Sequence, residues 1–376
     1  MRVRAALGGF ALAFTPGFNV ANVGAVADEV SHAYGVGLGV VGLFTTGLFV
    51  THAALQVPMG RFCDRLGSRL VGGVGLAIVA LASLAALGWK EAWFAIGMRL
   101  VAGVGTAAAF VAGAEYTRAT IGSAVAQGVY GAVSMAAGGL ALALVPLWGT
   151  WYAPFALASI VAAAGVAFVA LALPEPRHAP LPRATVVDRR LLPLAAMHAA
   201  SFGLSVVVGN WVVTLLHRAG GTSERVAGVA GGLVLFLGVI SRPLGGRLID
   251  HPRIIRASFV AGGLGLALLA LAKPLPVAVL GAAIVGIASG IPFAPSFAGA
   301  QRLRPDAPGA AVGFVNMMAA ITILVGTPLL GLTFYLPGEG RIGFLVVAGL
   351  CCATAAVVTG GGRPRADRGR PRAESA

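Results

Sequence analysis

Apolar runs of about 20 residues alternate with short polar connections along almost the whole chain. An α-helix needs about 20 apolar residues to cross the hydrocarbon core of a bilayer. The runs lack the alternation of apolar and polar positions that is typical of barrel strands. The pattern therefore predicts an all-α membrane protein with twelve transmembrane helices. The predicted spans are 5–27, 36–58, 70–88, 93–113, 125–148, 152–173, 191–217, 224–245, 257–273, 275–298, 310–333 and 341–360.

The longest polar connection divides these spans into two sets of six. We predict an N-terminal six-helix bundle over 1–173, a cytoplasmic linker over 174–190 and a C-terminal six-helix bundle over 191–360. The Arg- and Pro-rich tail over 361–376 has the composition of a disordered segment. The two bundles are expected to be pseudo-symmetric.

The first 27 residues also resemble a secretory signal, with Arg2 and Arg4 before an apolar run and a small-residue motif at its end. The run is longer than a signal core and contains Asn19 and Asn22. It is also needed to give the first half six spans. We therefore expect it to be retained as the first span.

Composition agrees with this class, since 58% of the 376 residues are hydrophobic and only 11% are charged. Soluble domains average about 25% charged residues. The 55 glycines suit helices that pack closely within a membrane. The three cysteines give no disulfide framework, since one lies in a polar hinge and two are adjacent in an apolar run.

The net charge of +14 is distributed very unevenly between the two predicted membrane faces. Of the 27 basic residues, 21 lie on the side of the N-terminus, including four around 242–256, and five lie on the opposite side. By the positive-inside rule, both termini face the cytoplasm of a multi-pass inner-membrane protein. The basic charge is then a topology signal, so no nucleic-acid partner is predicted, and the lipid bilayer is the expected surroundings.

A charged island separates the second and third spans, and a weaker copy of it lies 186 positions later. The island reads Gly60-Arg61-Phe62-Cys63-Asp64-Arg65-Leu66-Gly67-Ser68-Arg69. The copy reads Gly246-Arg247-Leu248-Ile249-Asp250-His251. Two matching hinges indicate a protein built from two related halves.

Twelve spans in two sets of six, with this hinge, resemble the major facilitator superfamily of secondary transporters. The superfamily hinge motif G-x-(L)-x-D-R-x-G-R-(K/R) matches the chain at Gly60, Asp64, Arg65, Gly67 and Arg69. Two positions of the first hinge differ from the motif, and the copy has a histidine in place of the second arginine.

The resemblance implies that the first hinge is a gating latch. Asp64 would lie against the start of span eleven, near Gly309, where the helix N-terminus favours a carboxylate. Arg65 or Arg61 would reach Glu115 at the end of span four. The alternative interpretation is a solvated basic turn that only fixes topology. In the second half the latch residues would be Gly246, Arg247 and Asp250.

Span four contains Arg99, followed by glycines in a pattern that resembles the superfamily's R-x-x-x-G-x-G. An arginine at membrane depth costs at least ~2.5–3.5 kcal/mol and normally faces a partner or water. We expect Arg99 to attract an anionic group or to take part in proton coupling. The alternative is that its side chain reaches the outer face of the membrane.

Other polar side chains at membrane depth are candidates for the substrate or proton site, although each can equally be a hydrogen bond between helices. The candidates are Asn19, Asn22, His52, Gln56, Gln127, Tyr130, Asn210 and Asn316. His52 is the only ionisable side chain on span two that is deep enough to titrate near neutral pH.

The sequence contains no nucleotide-binding loop, paired-carboxylate site or metal cluster, so neither an enzyme nor a cofactor is predicted. We predict a secondary transporter that moves a small solute by alternating access, coupled to protons, with a small anion or an amphiphilic metabolite as substrate. One alternative is a drug or metabolite efflux pump of the same fold. It is disfavoured because 134–139 lacks the proline typical of drug/proton antiporters. The other alternative is a non-transporting membrane sensor or scaffold.

Overall fold

The computed structural model describes residues 2–175 and 188–358, and every regular element in these two ranges is helical. The central part of the predicted linker, 176–187, and the predicted tail at 361–376 lie outside the described residues. Ten of the described helical segments are long and apolar enough to cross a membrane, and Ala6–Val20 and Arg341–Val357 are shorter apolar helices. Each of the twelve predicted spans therefore contains a helix.

The first half contains six helices that correspond to the predicted spans, and one additional short helix. They are α1 (Arg2–Ala21), the short α2 (Ala27–Tyr34), α3 (Leu38–Leu66), α4 (Ser68–Ala85), α5 (Ala92–Thr120), α6 (Ala124–Leu144) and α7 (Ala153–Leu171).

Two spans of the second half are interrupted. Span seven consists of α8 (Leu192–His198), a π-helical turn (Ala199–Gly203) and α9 (Leu204–Arg218). Span ten is divided into α12 (Leu275–Gly290) and α13 (Phe293–Leu303). The continuous helices are α10 (Glu224–Arg247), α11 (Pro252–Leu271), α14 (Pro308–Leu332) and α15 (Arg341–Thr354).

Each half has its own apolar core, and further apolar clusters join the halves. One cluster draws only on the second half and includes Phe259 and Phe344. Two clusters draw only on the first half. Across the interface α3 packs on α14, and α6 packs on α10. The outer helices keep large apolar side chains exposed, such as Leu81 on α4 and Leu264 on α11, as expected for a surface in contact with lipid.

The first charged hinge is mostly helical, which corrects the expectation of an open polar connection. Helix α3 continues to Leu66, and only Gly67 interrupts it before α4 begins at Ser68. Gly67 has φ = 90°, a left-handed conformation that glycine adopts without steric cost. The continuous helix keeps Gly60 and Asp64 on one face, one turn apart.

In the second hinge the helix ends earlier. Helix α10 stops at Arg247, and α11 begins at Pro252 after a turn. Gly246 is still helical, whereas Asp250 lies in the turn and its side chain is 83% exposed. The two hinges therefore share the glycine position but not the position of the carboxylate.

Close packing inside the first half depends on glycines that face each other. An added Cβ on Gly75 of α4 would lie 2.7 Å from the carbonyl oxygen of Gly105 on α5. An added Cβ on Gly105 would lie 2.8 Å from Val79 Cγ2. Gly97, on the same helix as Gly105, has nothing within 4 Å of its Cβ position.

We expect Gly105→Ala to destabilise the protein by about 1–3 kcal/mol, because the new methyl group overpacks the α4–α5 contact. Gly97→Ala is the matched control. It should be neutral or stabilising by up to about 1 kcal/mol, because alanine is the better helix former. Thermal unfolding of the purified protein in detergent measures both changes. Equal melting temperatures for the two variants would contradict the close packing at Gly105.

Candidate functional site

The Asp64 carboxylate binds the N-terminus of α14 in the other half. Asp64 Oδ1 accepts a hydrogen bond from Gly309 N at 2.7 Å, and Oδ2 accepts one from Ala310 N at 3.0 Å. The first N–H groups of a helix have no partner within the helix, and the positive end of the helix dipole favours a carboxylate there. Asp64 thus caps a helix of the opposite half, at the position expected from the resemblance.

Glycines bring the two halves together at this end of the bundle. The backbone of Gly60 meets that of Gly309, and a Cβ added to Gly309 would lie 2.7 Å from Gly60 O and 2.8 Å from Asp64 Oδ1. In the second hinge, a Cβ added to Gly246 would lie 2.5 Å from Val125 Cα at the start of α6. Both hinges therefore place a glycine against the first turn of a helix from the opposite half.

The recorded donors to Glu115 are Arg118 and, across the interface of the halves, Gln301, while the contact with Arg61 or Arg65 stays a prediction. Glu115 accepts hydrogen bonds from Arg118 Nε at 3.0 and 2.8 Å, one turn later on α5. The side chains of Arg61 and Arg65 are exposed. Because Arg118 lies three residues from Glu115 on the same helix, it reaches the carboxylate without crossing to another element.

Two further latch residues also differ from expectation. Arg69 donates from Nε to Val169 O at 3.0 Å and binds Ala170 O, so it caps the end of α7 in its own half. Asp250 lies 3.9 Å from Arg302, also in its own half, and both side chains are exposed. Asp250 leaves the interface because α10 ends before it. Arg247 on the second hinge is exposed.

Arg99 is buried inside the first half, and its side chain is only 2% exposed. Arg99 Nη1 donates to Asn19 Oδ1 at 2.9 Å, Nη2 to Asn19 O at 2.8 Å, and Nε to Phe44 O at 3.2 Å. The guanidinium therefore ties α1 and α3 to α5. A role of Arg99 in coupling stays a prediction, but the geometry supports positioning of α1, and the side chain does not extend to the outer face.

Several other predicted site residues form hydrogen bonds within their own half. Gln127 Nε2 donates to Ala114 O at 2.7 Å, and Tyr130 Oη donates to Phe110 O at 2.5 Å, so both hold α6 on α5. Asn22 lies after the end of α1, and its Nδ2 donates to Pro154 O at 3.0 Å. Asn210 is exposed, 3.4 Å from Thr327 Oγ1.

Gln56 is fully buried on α3, where its backbone lies against Gly313 of α14. Neither its amide nitrogen nor its amide oxygen has a hydrogen-bond partner among the described residues.

A small cavity, called the central cavity below, lies between the two halves and is lined by residues of both. It has room for about one water molecule, at about 20 Å³. Of the predicted site residues, it brings together His52 of the first half and Asn316 of the second. The remaining lining residues are mostly apolar or aromatic: Pro16, Val20, Leu48, Phe49, Phe110, Ser134, Phe202 and Ala320.

Each half contributes one imidazole to this region. His52 Nδ1 lies 3.0 Å from Thr106 Oγ1, and the Thr106 hydroxyl donates to Gly103 O at 3.1 Å. His52 Nδ1 must then donate, which leaves the lone pair on Nε2. His198 Nε2 lies 3.2 Å from Asn316 Oδ1. Both are buried among aromatic rings.

Arg242 on α10 is a functional candidate that the sequence analysis missed. It was counted with the charges around the second hinge, but its side chain is only 3% exposed and lies at the interface of the halves. Arg242 Nη1 donates to Gly131 O of α6 at 2.6 Å. Its guanidinium carbon lies 4.2 Å from the centre of the Phe293 ring and 5.3 Å from that of Phe202. The signal in the sequence is an arginine inside an apolar run, three residues before the end of the predicted span 224–245.

The matching family model, Major Facilitator Superfamily, covers residues 9–327. The chain belongs to the major facilitator superfamily. A search of curated proteins returned no match. Among solved structures, the chain is similar to the human organic anion transporter MFSD10 (TETRAN), with a TM-score of 0.73 and 18% identity over 95% of this chain and 99% of that one. At this identity the likeness shows the superfamily fold.

Membership makes this chain a multi-pass membrane transporter with a small-molecule substrate and a lipid environment. The site that the superfamily fold provides is the interface of its two halves. In this chain that interface contains His52, His198, Arg242 and Asn316, surrounded by phenyl rings.

We expect Asp64→Asn to weaken the closed contact at this end by about 1–2 kcal/mol, because the charged partner of two backbone N–H groups is lost. The equilibrium should shift about tenfold towards separation of the two halves there. Spin labels at positions 62 and 253, both exposed in the native protein, report the distance between the halves. Asp250→Asn is the control and should leave the distance distribution unchanged. The same shift in both variants would argue against the Asp64 contact as the closing interaction.

We expect Arg99→Lys to lower the free energy of unfolding by about 1–3 kcal/mol, because an ammonium group cannot replace the planar donors that bind Asn19 and Phe44. Asn19→Ala should destabilise through the same contacts, so the two changes should be less than additive. Thermal unfolding in detergent measures each variant. An Arg99→Lys protein of native stability that has lost transport would instead support direct coupling by Arg99.

Proposed function

We propose that this protein is a secondary transporter that carries a small organic anion across the inner membrane by alternating access. The observation that carries the proposal is Arg242, a buried cation at the interface of the two halves. Its recorded partners in the described part of the chain are the Gly131 carbonyl and two phenyl rings. A buried charge is costly unless it is paired. An anionic substrate supplies the missing counter-charge.

The similarity to a protein described as an organic anion transporter supports the same substrate class. The orientation rests on charge, since 20 of the 27 basic residues, with the buried Arg242 left out, lie on the side of the predicted termini. We therefore assign both termini and the Asp64 contact to the cytoplasmic side. In this arrangement the contact of Asp64 with α14 closes the cytoplasmic side, and its rupture opens it.

Protons are the proposed coupling ion, with His52 as the residue that binds them. His52 lines the central cavity and offers the lone pair of Nε2, since Nδ1 donates to Thr106. Its other recorded contacts are the rings of Phe49 and Phe110, which do not titrate. Imidazole is the side chain whose ordinary titration falls in the physiological range.

We expect Arg242→Ala to reduce anion transport at least tenfold, because the cation that binds the anion is removed while insertion is kept. Counterflow of labelled lactate, benzoate and succinate in proteoliposomes measures this, with glucose as a neutral control solute. Arg253→Ala removes an exposed arginine after the second hinge and should retain transport. Absence of counterflow for all three anions in the native protein would contradict the proposal. Undiminished counterflow with Arg242→Ala would contradict the assigned role of Arg242.

A further inference from the structure

Two buried polar atoms in the second half have no hydrogen-bond partner among the described residues, and both flank the same aromatic rings. They are Arg242 Nε on α10 and His198 Nδ1 at the end of α8. The side chains are 3% and 0% exposed. A buried polar atom without a partner costs free energy, so such an atom points to a ligand that the site binds.

One of these atoms is a donor and the other is an acceptor. The guanidinium Nε–H can only donate. In His198 the partner of Nε2 is the Asn316 carbonyl oxygen, which can only accept, so Nε2 carries the proton. The neutral imidazole then has its lone pair on Nδ1. A ligand that satisfies both atoms must present an acceptor to Arg242 and a hydrogen-bond donor to His198.

Both groups pack against the rings of Phe202 and Phe293. The His198 ring centre lies 5.5 Å from Phe202 and 5.3 Å from Phe293. The Arg242 guanidinium carbon lies 5.3 and 4.2 Å from the same two ring centres. Phenyl rings form no ordinary hydrogen bonds, so they surround the pair without using its open donor and acceptor.

Phe202 borders both this pair and the central cavity. It packs on His198 and Arg242 and lines the cavity, whereas Arg242 and His198 are not among the lining residues. Phe202 belongs to the π-helical turn that begins directly after His198. Such turns are local departures from α-helical bonding and often occur at functional sites. A rotation of Phe202 would open the pair to the cavity.

We propose that Arg242 and His198 form a two-point subsite for an α-hydroxycarboxylate, reached when Phe202 turns aside. The carboxylate accepts from Arg242 Nε, and the hydroxyl group donates to His198 Nδ1. The phenyl rings accommodate an apolar or aromatic substituent on the same ligand. This proposal rests on the proposed anion transport and specifies the substrate class of that site.

The test compares mandelate with phenylacetate, two aromatic acids that differ only in the α-hydroxyl group. Isothermal titration of the full-length protein in detergent at pH 8 should show roughly tenfold tighter binding of mandelate, because phenylacetate leaves the His198 acceptor unpaired. His198→Phe removes the acceptor and keeps an aromatic ring in its place, so it should bind both acids equally. Arg242→Gln should lose binding of both acids.

The matched controls are His217→Phe, at an exposed histidine on α9, and Arg253→Gln, and both should keep the native preference. Equal affinity of the native protein for the two acids would overturn the hydroxyl contact, as would failure to bind either acid. A preference for mandelate that persists in His198→Phe would overturn the role of His198. The native comparison needs no variant, so misfolding of a variant cannot obscure it.

Failure of this subsite and failure of anion transport are distinguishable. Arg242-dependent counterflow of an organic anion, together with equal binding of mandelate and phenylacetate, removes only the hydroxyl contact. The absence of counterflow for lactate, benzoate and succinate removes the transport proposal itself.

Discussion

The two halves of the protein meet where backbone packs directly against backbone. At Gly60 and Gly309, and again at Gly246 and Val125, there is no space for a side-chain carbon between helices of opposite halves. Helices in a membrane gain nothing from excluding lipid, so their association relies on such close packing and on interhelical hydrogen bonds. The other contacts between the halves depend on this approach. It brings Asp64 within hydrogen-bond distance of α14 and Arg242 within reach of Gly131.

The pseudo-symmetry of the two hinges is incomplete, and helix length explains the difference. Helix α3 continues six residues beyond Gly60, whereas α10 ends one residue after Gly246. The carboxylate four residues after the glycine therefore stays on the interface in the first hinge and leaves it in the second. One half thus contributes a charged cap, and the other contributes only close packing. Because Asp64 caps α14 from a helix of the other half, both of its hydrogen bonds break together when the halves separate. Such a contact suits an interaction that forms and breaks during transport.

Arg99 and Arg242, two of the buried arginines, have different roles in the structure. Arg99 is fully engaged by oxygens of Asn19 and Phe44 within one half, so it rigidifies that half. Arg242 lies between the halves, bound to one carbonyl and packed on rings, and its Nε–H has no partner among the described residues. Only the surroundings of Arg242 leave a positive charge and a hydrogen-bond donor available to a ligand. The two arginines differ in the number and position of the oxygen atoms around their guanidinium groups and not in their depth along the helix.

The sequence by itself determined the class, the twelve spans, the repeat and the position of the first hinge. Span length, hydropathy and the spacing of glycine and aspartate are local properties, and the bilayer constrains them strongly.

Tertiary structure decided which polar side chains reach the interface. Helices that are apolar all round carry no periodic signal of their rotation, so Gln127 and Tyr130 could not be told apart from His52 and Asn316. Arg242 was assigned to a hinge because helix ends are poorly marked in sequence. Its buried position follows from the packing of α10 on α6, a contact between residues more than 100 positions apart.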